Sequence, residues 1–324
     1  MVVLAVYVDD IILTGNDVSA ISDLKSYLDE QFKIKDLGIL HYFLGIEVSP
    51  TPDGLLLNQR KFILDLLAEY KCYEVSPVVS PLDLTLKLQA ADGELLPNPE
   101  LYRSLVGKFN FLTHTRPDLS FAVQHLSQFL QSPRVPHYSA ALHVLRFLKG
   151  TSDYGIFFNN SSDFALHGYC DSDWAACPDS RKSVTGFFVL FGGIPVSWKS
   201  KKQPVVSLSS AEAEYRALSK LVAEITWMTR LLEDLGVAGM TPVSVFCDNQ
   251  SALHIARNPV FHERTKHIEV DCHFVRGKLS EGLITLFPVS STSQLANILT
   301  KPLTGLAHHG FLPKLKILPS LTSN

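Results

Sequence analysis

Three acidic residues in the second half of the chain occupy places where side chains can act together. Asp171 and Asp248 each follow a short apolar run, and Glu212 stands at the start of a long amphipathic stretch. The runs predict strands and the stretch predicts a helix. Strand ends and helix starts meet at one edge of an α/β sheet, where such sheets place ligands. Gathered carboxylates repel one another unless cations neutralise them, and two Mg²⁺ or Mn²⁺ ions would also activate a water toward a phosphodiester.

Each of these acids also has a purely structural interpretation. Glu212 follows Ser209 at the spacing of a capping box. Asp171 fits a turn at a strand end, and Asp248 with Asn249 fits a helix cap. The order strand end, helix start, strand end favours a shared site over three unrelated turns and caps.

A further acidic pair, Asp9 and Asp10, lies between the apolar runs 2–8 and 11–13. Two short apolar runs with a polar pair between them predict a β-hairpin with the carboxylates at its tip. Such a pair suits divalent-metal phosphoryl chemistry, because hard Mg²⁺ prefers charged oxygen ligands. The alternative is an ordinary polar turn.

Composition restricts the class of protein. The 324 residues are 46% hydrophobic and 19% charged, with a net charge of −3. These values predict a folded chain of two or three domains, on which any nucleic-acid surface is local. The five cysteines are scattered without a Cys-x-x-Cys pair, which favours a reducing compartment over a zinc site or disulfide framework. The apolar start has no basic leader, so we expect an intracellular protein, cytoplasmic or nuclear, without a signal peptide or membrane span.

The elements expected to position the acids fall into two parts that meet near residue 162. The first part predicts a helix capped by Asp17 or Ser19, strands at 41–48 and 55–57, and a helix capped by Asn58. A proline-rich linker at 76–99 and a helical block at 100–149 follow. The second part predicts strands at 164–170, 183–191, 194–198, 204–208, 243–247 and 283–288. Its predicted helices lie at 210–235, 251–256, 265–279 and 294–299.

Several segments resemble one family, the copia-type LTR retrotransposon Pol polyproteins. Val-Tyr-Val-Asp-Asp at 6–10 is similar to the Tyr-x-Asp-Asp hairpin of reverse-transcriptase palms. Tyr-Cys-Asp-Ser-Asp-Trp-Ala at 169–175, Leu-Ser-Ser-Ala-Glu-Ala-Glu-Tyr at 208–215 and Cys-Asp-Asn-Gln-Ser-Ala at 247–252 resemble the family's ribonuclease H domain. Thr-Lys-His-Ile at 265–268 and Leu-Thr-Lys-Pro-Leu at 299–303 do so as well, and His-Thr-Arg-Pro-Asp-Leu at 114–119 resembles the region between polymerase and nuclease.

The resemblance implies an α/β fold, α+β overall. It implies a truncated reverse-transcriptase palm and thumb at 1–75, then a linker and helical connection region at 76–162. A ribonuclease H-like domain with a mixed five-stranded sheet flanked by helices is expected at 163–304, and a C-terminal tail at 305–324.

The resemblance also implies an activity: Mg²⁺-dependent hydrolysis of the RNA strand of an RNA/DNA hybrid. Asp171, Glu212 and Asp248 would be catalytic and would hold two metal ions, with Asn297 in a fourth ligand position. The family has an acid there, whereas an amide keeps the oxygen but loses the charge, so the second metal is expected to bind more weakly. Asp271 is an alternative source of that charge. The loop at 290–293 lacks the histidine of related cellular enzymes, which implies slower product release.

Nucleic-acid contacts are expected from three lysines at a predicted strand-to-strand turn: Lys199, Lys201 and Lys202. They would bind phosphates as point charges without sequence preference, and the alternative is a charged hairpin tip that keeps the protein soluble. Three tryptophans are expected in the core rather than stacked on bases: Trp174, Trp198 and Trp227.

Three hypotheses on function follow. A polymerase palm needs a further metal-binding aspartate upstream, so Asp9 and Asp10 are expected to be a polymerase remnant without nucleotide addition. The first hypothesis is therefore a nuclease acting on RNA/DNA hybrids. The second is a non-catalytic retroelement remnant that binds hybrid weakly or not at all, and the third, a structural role in a retroelement particle, has no sequence feature in its support. No small-molecule substrate is expected, and the oligomeric state is left open.

Overall fold

The computed structural model describes residues 1–160, 163–258 and 268–320. It contains the predicted hairpin, in which strand β1 (Val2–Tyr7) pairs antiparallel with strand β2 (Asp10–Gly15). Helix α1 (Val18–Phe32) follows, and the Asp17 side chain caps it by accepting a hydrogen bond from the Ala20 backbone N–H at 3.0 Å. Within its described length α1 has no buried side chain, so apolar burial contributes little to holding this segment in place.

An antiparallel sheet begins next. Strands β3 (Tyr42–Phe43), β4 (Ile46–Thr51) and β5 (Gly54–Asn58) pair in sequence. Helix α2 (Arg60–Glu69) begins one residue later than the cap predicted at Asn58, because Gln59 occupies the cap position. The buried face of α2 contains Ile63, Leu66 and Leu67.

The predicted helical block consists of three helices beyond the linker. They are α3 (Pro99–Leu112), α4 (Ser120–Ser127) and α5 (Val135–Gly150). Asn98 caps α3 by accepting a hydrogen bond from the Glu100 backbone N–H, and a proline stands at the start of the helix. These helices enclose a hydrophobic cluster with α2. Strand β6 (Tyr154–Asn159), which the sequence pattern did not predict, then pairs with β5.

The second half builds the predicted mixed sheet. Its first three strands form an antiparallel meander: β7 (Leu166–Asp173), β8 (Val184–Phe191) and β9 (Ile194–Lys202). The long predicted helix is α6 (Ser210–Asp234), and strand β10 (Val243–Cys247) lies where it was predicted.

The remaining elements complete this sheet. Helices α7 (Gln250–Arg257) and α8 (Glu269–Ser280) precede strand β11 (Ile284–Pro288). The first residues of the helix predicted at 265–279 lie outside the described residues. Within the described ranges the sheet has the order β11-β10-β7-β8-β9, and β10 is parallel to both β7 and β11. This arrangement confirms the predicted mixed five-stranded sheet.

Three predicted elements differ in the structure. The strand predicted at 41–48 is divided into β3 and β4, because Leu44 and Gly45 form a tight turn with φ of 50° and 81°. The strand predicted at 204–208 is absent from this described segment, because β9 continues to Lys202 and Pro204 then offers no N–H to a ladder. The last predicted helix is a 3-10 helix, Leu295–Leu299.

Two faces of the mixed sheet are covered by different elements. Helix α6 packs on one face with Leu218, Leu221 and Ile225, each fully buried. The 3-10 helix packs on the other face, where Leu299 and Phe188 share a hydrophobic cluster. The sheet is therefore a central layer between α6 and the 3-10 helix.

Residues expected to form a tail are folded. Helix α9 (Gly305–Phe311) is followed by strand β12 (Ile317–Pro319), which pairs antiparallel with β6 and extends the first sheet to β12-β6-β5-β4-β3. Leu315 and Ile317 are fully buried, so apolar burial explains why this segment orders. None of the helices in the described ranges is long and apolar enough to cross a bilayer.

Candidate metal centre

Asp171 lies near the end of β7 and is 3% exposed. Its partner on the neighbouring strand is Gly186. A Cβ atom at Gly186 would lie 2.7 Å from Thr300 Cγ2, so the glycine allows the residues after the 3-10 helix to reach Asp171. The Thr300 hydroxyl donates a hydrogen bond to Asp171 Oδ2, and Lys301 Nζ lies 3.8 Å from the same oxygen. Asp171 is thus oriented by a hydroxyl and has a cation beside it.

Asp248 directly follows β10, and its Oδ2 atom accepts a hydrogen bond from the Ser291 hydroxyl at 2.8 Å. The cap of α7 is Asn249, which accepts a hydrogen bond from the Ala252 backbone N–H at 2.9 Å. The capping role considered for Asp248 is therefore filled by its neighbour. Because β10 lies parallel beside β7, Asp248 and Asp171 extend from neighbouring strands at one edge of the sheet.

The third carboxylate at this edge is Glu214 rather than Glu212, which corrects the prediction. Glu214 Oε1 accepts a hydrogen bond from the Ser172 backbone N–H at 3.1 Å. Glu212 Oε2 accepts one from the Leu208 backbone N–H at 2.7 Å, and Glu212 Oε1 lies 2.9 Å from Arg216 Nη2. Side chains two residues apart on a helix point in directions that differ by about 200°. Glu214 therefore faces the sheet, whereas Glu212 faces away from it and bonds to the backbone at the start of the helix.

The acidic groups at this edge affect one another. One donor atom from each of Glu214, Cys247 and Asp248 lies within 4.8 Å of the others. Burial, and then the neighbouring Asp171, raise the pKa of Glu214 well above its usual value. Burial also raises the pKa of Asp171, against the lowering effect of Lys301. Such shifts are typical of functional sites that hold cations or protons.

The fourth predicted position, Asn297, also lies at this edge and is 5% exposed. Its Nδ2 atom donates a hydrogen bond to the Ser291 carbonyl oxygen at 2.6 Å. Asn297 Oδ1 and Glu214 Oε2 are buried without a hydrogen-bond partner among the described residues. Unpaired buried oxygens are costly, and a bound divalent cation would satisfy such an oxygen. Carboxylate and amide oxygens are donors that Mg²⁺ accepts, so these residues fit the implied metal.

Asp271 does not supply the charge missing at Asn297. It lies on α8, where its carboxylate accepts a hydrogen bond from the Ser219 hydroxyl at 2.7 Å and lies 3.9 Å from Arg216 Nη1. These contacts hold Asp271 against α6. The loop at 290–293 contributes Ser291, which links Asp248 to Asn297 through its hydroxyl and carbonyl groups.

Asp9 and Asp10 lie at the tip of the N-terminal hairpin and are exposed. Val8 precedes them with a φ of 51°, a left-handed conformation that is rare for a β-branched residue. In the described part of the chain, the acids, histidines and cysteines close enough to form a metal-binding group do not include these two aspartates.

The three predicted phosphate-binding lysines are not at a turn and do not form one surface. They lie in β9, where successive side chains alternate between faces. Lys199 and Lys201 are exposed, whereas Lys202 Nζ donates a hydrogen bond to Gln128 Oε1 at 2.8 Å and lies 2.9 Å from Cys177 Sγ. Lys202 therefore joins the sheet to α4, and only the other two are available to a ligand.

Two of the three tryptophans predicted in the core are exposed. Trp174 and Trp227 are 47% and 56% exposed, respectively. Trp198 is partly buried, and its Nε1 atom donates a hydrogen bond to the Thr113 carbonyl oxygen at 3.1 Å. The position of each residue explains its exposure. Trp174 lies beyond the end of β7, and Trp227 lies on the outer face of α6.

Sequence reasoning missed Glu214, Thr300 and Lys301. A usable signal for Glu214 was present, because it shares the helical spacing of the buried residues Leu218, Leu221 and Ile225. The other two are brought to Asp171 by the approach of the 3-10 helix to β8, which local sequence patterns do not reveal.

The second half of the chain is a mixed α/β fold with carboxylates gathered at one edge of its five-stranded sheet. Comparison with solved structures includes the crystal structure of LC11-RNase H1 in complex with an RNA/DNA hybrid. The match has a TM-score of 0.33 and 15% identity, and it covers 42% of this chain and 93% of that chain.

Sequence comparisons show the family. The family described as reverse transcriptase (RNA-dependent DNA polymerase) matches residues 1–83. The chain is 42% identical over 318 residues to the Retrovirus-related Pol polyprotein from transposon RE2 of Arabidopsis thaliana, covering 98% of this chain and 22% of that protein. It is 41% identical over 224 residues to an uncharacterized mitochondrial protein of the same plant, covering 69% of this chain and 93% of that protein. The chain belongs to the copia-type retrotransposon Pol polyproteins, and it spans about a fifth of the RE2 polyprotein, 22% of its length.

Proposed function

We propose that this chain is a ribonuclease H-type nuclease that hydrolyses the RNA strand of RNA/DNA hybrids with bound Mg²⁺. Asp171, Glu214 and Asp248 hold the metal ions, and the Asn297 amide oxygen occupies the fourth ligand position. The observation that carries the proposal is the convergence of three carboxylates, from β7, α6 and β10, on one sheet edge. Two unpaired buried oxygens at the same edge support it.

Two Mg²⁺ ions, when bound, activate a water and stabilise the leaving oxygen of a phosphodiester. The chain's own groups hold the ligands in place for this. The Thr300 hydroxyl orients Asp171, the Ser291 hydroxyl orients Asp248, and the Ser172 backbone N–H orients Glu214. Hydrogen bonds of this kind to metal ligands fix their direction and raise metal affinity.

The hybrid is bound through its phosphates by Lys199 and Lys201. Both are exposed on β9, the edge strand of the mixed sheet. Lysines contact phosphates as point charges and carry no sequence information, which suits a nuclease that acts on any hybrid.

The deciding experiment is cleavage of an end-labelled RNA/DNA hybrid in Mg²⁺ and in Mn²⁺. Asp171→Asn and Glu214→Gln should abolish cleavage, while Glu212→Gln, a change of the same chemistry two residues from Glu214, should retain it. Cleavage that survives Glu214→Gln would contradict the metal-ligand assignment. Cleavage of the RNA strand in a hybrid but not in duplex RNA would support the assignment of RNA/DNA hybrids as the substrate.

A second candidate is a non-catalytic remnant of a retroelement. The amide at Asn297 favours it, because the fourth ligand lacks the charge that helps hold a second metal. A folded sample without cleavage in either metal would support this second candidate.

Nucleotide addition is outside the proposal, because within the described residues Asp9 and Asp10 do not lie close to a third acid.

A further inference from the structure

A thiol lies among the carboxylates of the candidate metal centre. Cys247 is the last residue of β10 and is fully buried. Its Sγ atom and one carboxylate oxygen each of Glu214 and Asp248 lie within 4.8 Å of one another. The three residues come from the strand end and from α6, so the sheet–helix packing and not a Cys-x-x-Cys spacing brings them together.

Two features leave these donors available. The Cys247 thiol has two weak contacts: it donates to the Asn249 carbonyl oxygen at 3.8 Å, and it shares a hydrogen bond with the Cys170 thiol. Thiols are weak hydrogen-bonding groups, so neither contact holds the sulfur strongly. Glu214 is 5% exposed, and its Oε2 atom has no hydrogen-bond partner within the described part of the chain. The unpartnered Glu214 oxygen and the weakly bonded Cys247 thiol are therefore two ligand atoms available to a metal ion.

We propose that Glu214, Cys247 and Asp248 form a site for a thiophilic divalent cation, such as Zn²⁺ or Cd²⁺, distinct in its donor set from the all-oxygen Mg²⁺ site. Hard Mg²⁺ does not use a sulfur ligand, whereas Zn²⁺ is bound well by one thiolate with carboxylate oxygens. Zn²⁺ also binds mixed donor sets more tightly than Mn²⁺ in the usual order of divalent metals.

The geometry is close to what such an ion needs. Zn–S and Zn–O bonds of about 2.3 and 2.1 Å place donors about 3.5 Å apart in a tetrahedral site. Donors that are within 4.8 Å before binding would close by about 1 Å, which side-chain rotation provides. The thiol proton leaves to solvent on binding, and a water completes the four ligands.

An ion in this position removes Glu214 and Asp248 from the Mg²⁺ site. Binding of the ion to these three residues does not depend on nuclease activity, whereas inhibition by it rests on the proposed function. We expect Zn²⁺ to inhibit hybrid cleavage competitively with Mg²⁺.

The test is a Cd²⁺ titration of the full chain, followed by the ultraviolet cadmium–thiolate absorption. Cys247→Ala should remove this band or lower Cd²⁺ affinity by about tenfold or more. The matched control is Cys272→Ala, another buried cysteine in the same half of the chain. Glu214→Gln should weaken Cd²⁺ binding and leave the sulfur ligand in place. Cys247→Ser serves as a second variant if the alanine variant does not fold, as judged by circular dichroism.

A measurement on the unaltered chain complements the variants. X-ray absorption of the chain with one equivalent of Zn²⁺ should show one sulfur at about 2.3 Å and otherwise oxygen neighbours. An unchanged cadmium band in both Cys247 variants, or a zinc shell without sulfur, would overturn the site. If the band depends on Cys247 but hybrid is never cleaved, the metal site stands and the proposed nuclease function fails.

Discussion

The Oε1 atom of Glu214 accepts a hydrogen bond from the backbone N–H of Ser172 at 3.1 Å. This contact joins the first turns of α6 to the end of β7, one residue beyond Asp171. It orders the glutamate before any ligand arrives, and it leaves the second carboxylate oxygen, which has no hydrogen-bond partner among the described residues, for another ligand.

Glu214 and Glu212 should respond differently to the same substitution. We expect Glu214→Gln to reduce hybrid cleavage by about a hundredfold or more, because a charged metal ligand is lost. Glu212→Gln should keep cleavage and lower the free energy of unfolding by about 1 kcal/mol, because it weakens a helix start. Single-turnover cleavage rates and urea unfolding of both variants check this. Equal loss of cleavage in the two would refute the assignment.

Asn297→Asp should raise Mg²⁺-dependent cleavage and lower the Mg²⁺ concentration needed for half-maximal rate. The new carboxylate adds charge at the fourth ligand position. It also loses the hydrogen bond from Nδ2 to the Ser291 carbonyl oxygen, which spans 2.6 Å, so without metal the variant should be less stable. Mg²⁺ titrations of cleavage and of thermal unfolding separate the two effects. An unchanged Mg²⁺ dependence would show that this position does not limit the enzyme.

Gly186→Ala should damage the site without touching a carboxylate. The added Cβ would lie 2.7 Å from Thr300 Cγ2 and 2.8 Å from Leu299 Cβ, so the 3-10 helix must move away from β8. We expect a loss of about 1–3 kcal/mol in unfolding free energy and slower cleavage, because Thr300 no longer orients Asp171.

The control for this change is Gly107→Ala. Gly107 lies in α3, and an added Cβ would meet no atom within 4 Å among the described residues. Alanine favours a helix over glycine by about 1 kcal/mol, so this variant should be slightly more stable with unchanged cleavage. Thermal unfolding of the two variants gives opposite shifts if the packing argument holds.

The lysines of β9 should separate into two classes. Lys199→Ala and Lys201→Ala should weaken hybrid binding and reduce its salt dependence, since each removes a phosphate contact. Lys202→Ala should mainly lower stability, because Lys202 bonds internally to Gln128. Hybrid binding measured at several salt concentrations, with urea unfolding alongside, distinguishes them. A salt slope reduced equally by all three changes would contradict the assignment.

Stability should fall as the pH is lowered from about 6.5 toward 4, in part through His308. Burial lowers the pKa of this histidine from 6.5 to about 4. The unfolded chain therefore takes up a proton at His308 in this window while the folded chain does not, so protonation favours unfolding as the pH falls. The contribution is on the order of 3 kcal/mol. His308→Phe, which keeps a ring against Phe147, should flatten the pH dependence measured by urea unfolding; an unaltered profile would argue against this assignment.

Much of the fold was predictable because its signals are local. The hairpin, the proline-bounded helices, the long amphipathic helix and the strands at 183–191 and 243–247 each follow from residue spacing and caps within one segment. Strands β6 and β12 were not predicted, since a short strand gains its stability from partners far away in the chain. The helix predicted near Asn297 is a 3-10 helix that packs closely over Gly186.

The sequence by itself determined the family and the sheet of the second half, and it placed Asp171 and Asp248 at or near the ends of strands, because apolar runs precede both. Only the tertiary structure decided between Glu212 and Glu214. Both lie in the first turns of one helix, and the choice depends on which helix face packs against the sheet. The same packing brought Cys247 beside two carboxylates and Thr300 onto Asp171. Contacts between distant segments depend on how the helices pack against the sheet, and the spacing of residues within one segment does not specify this packing.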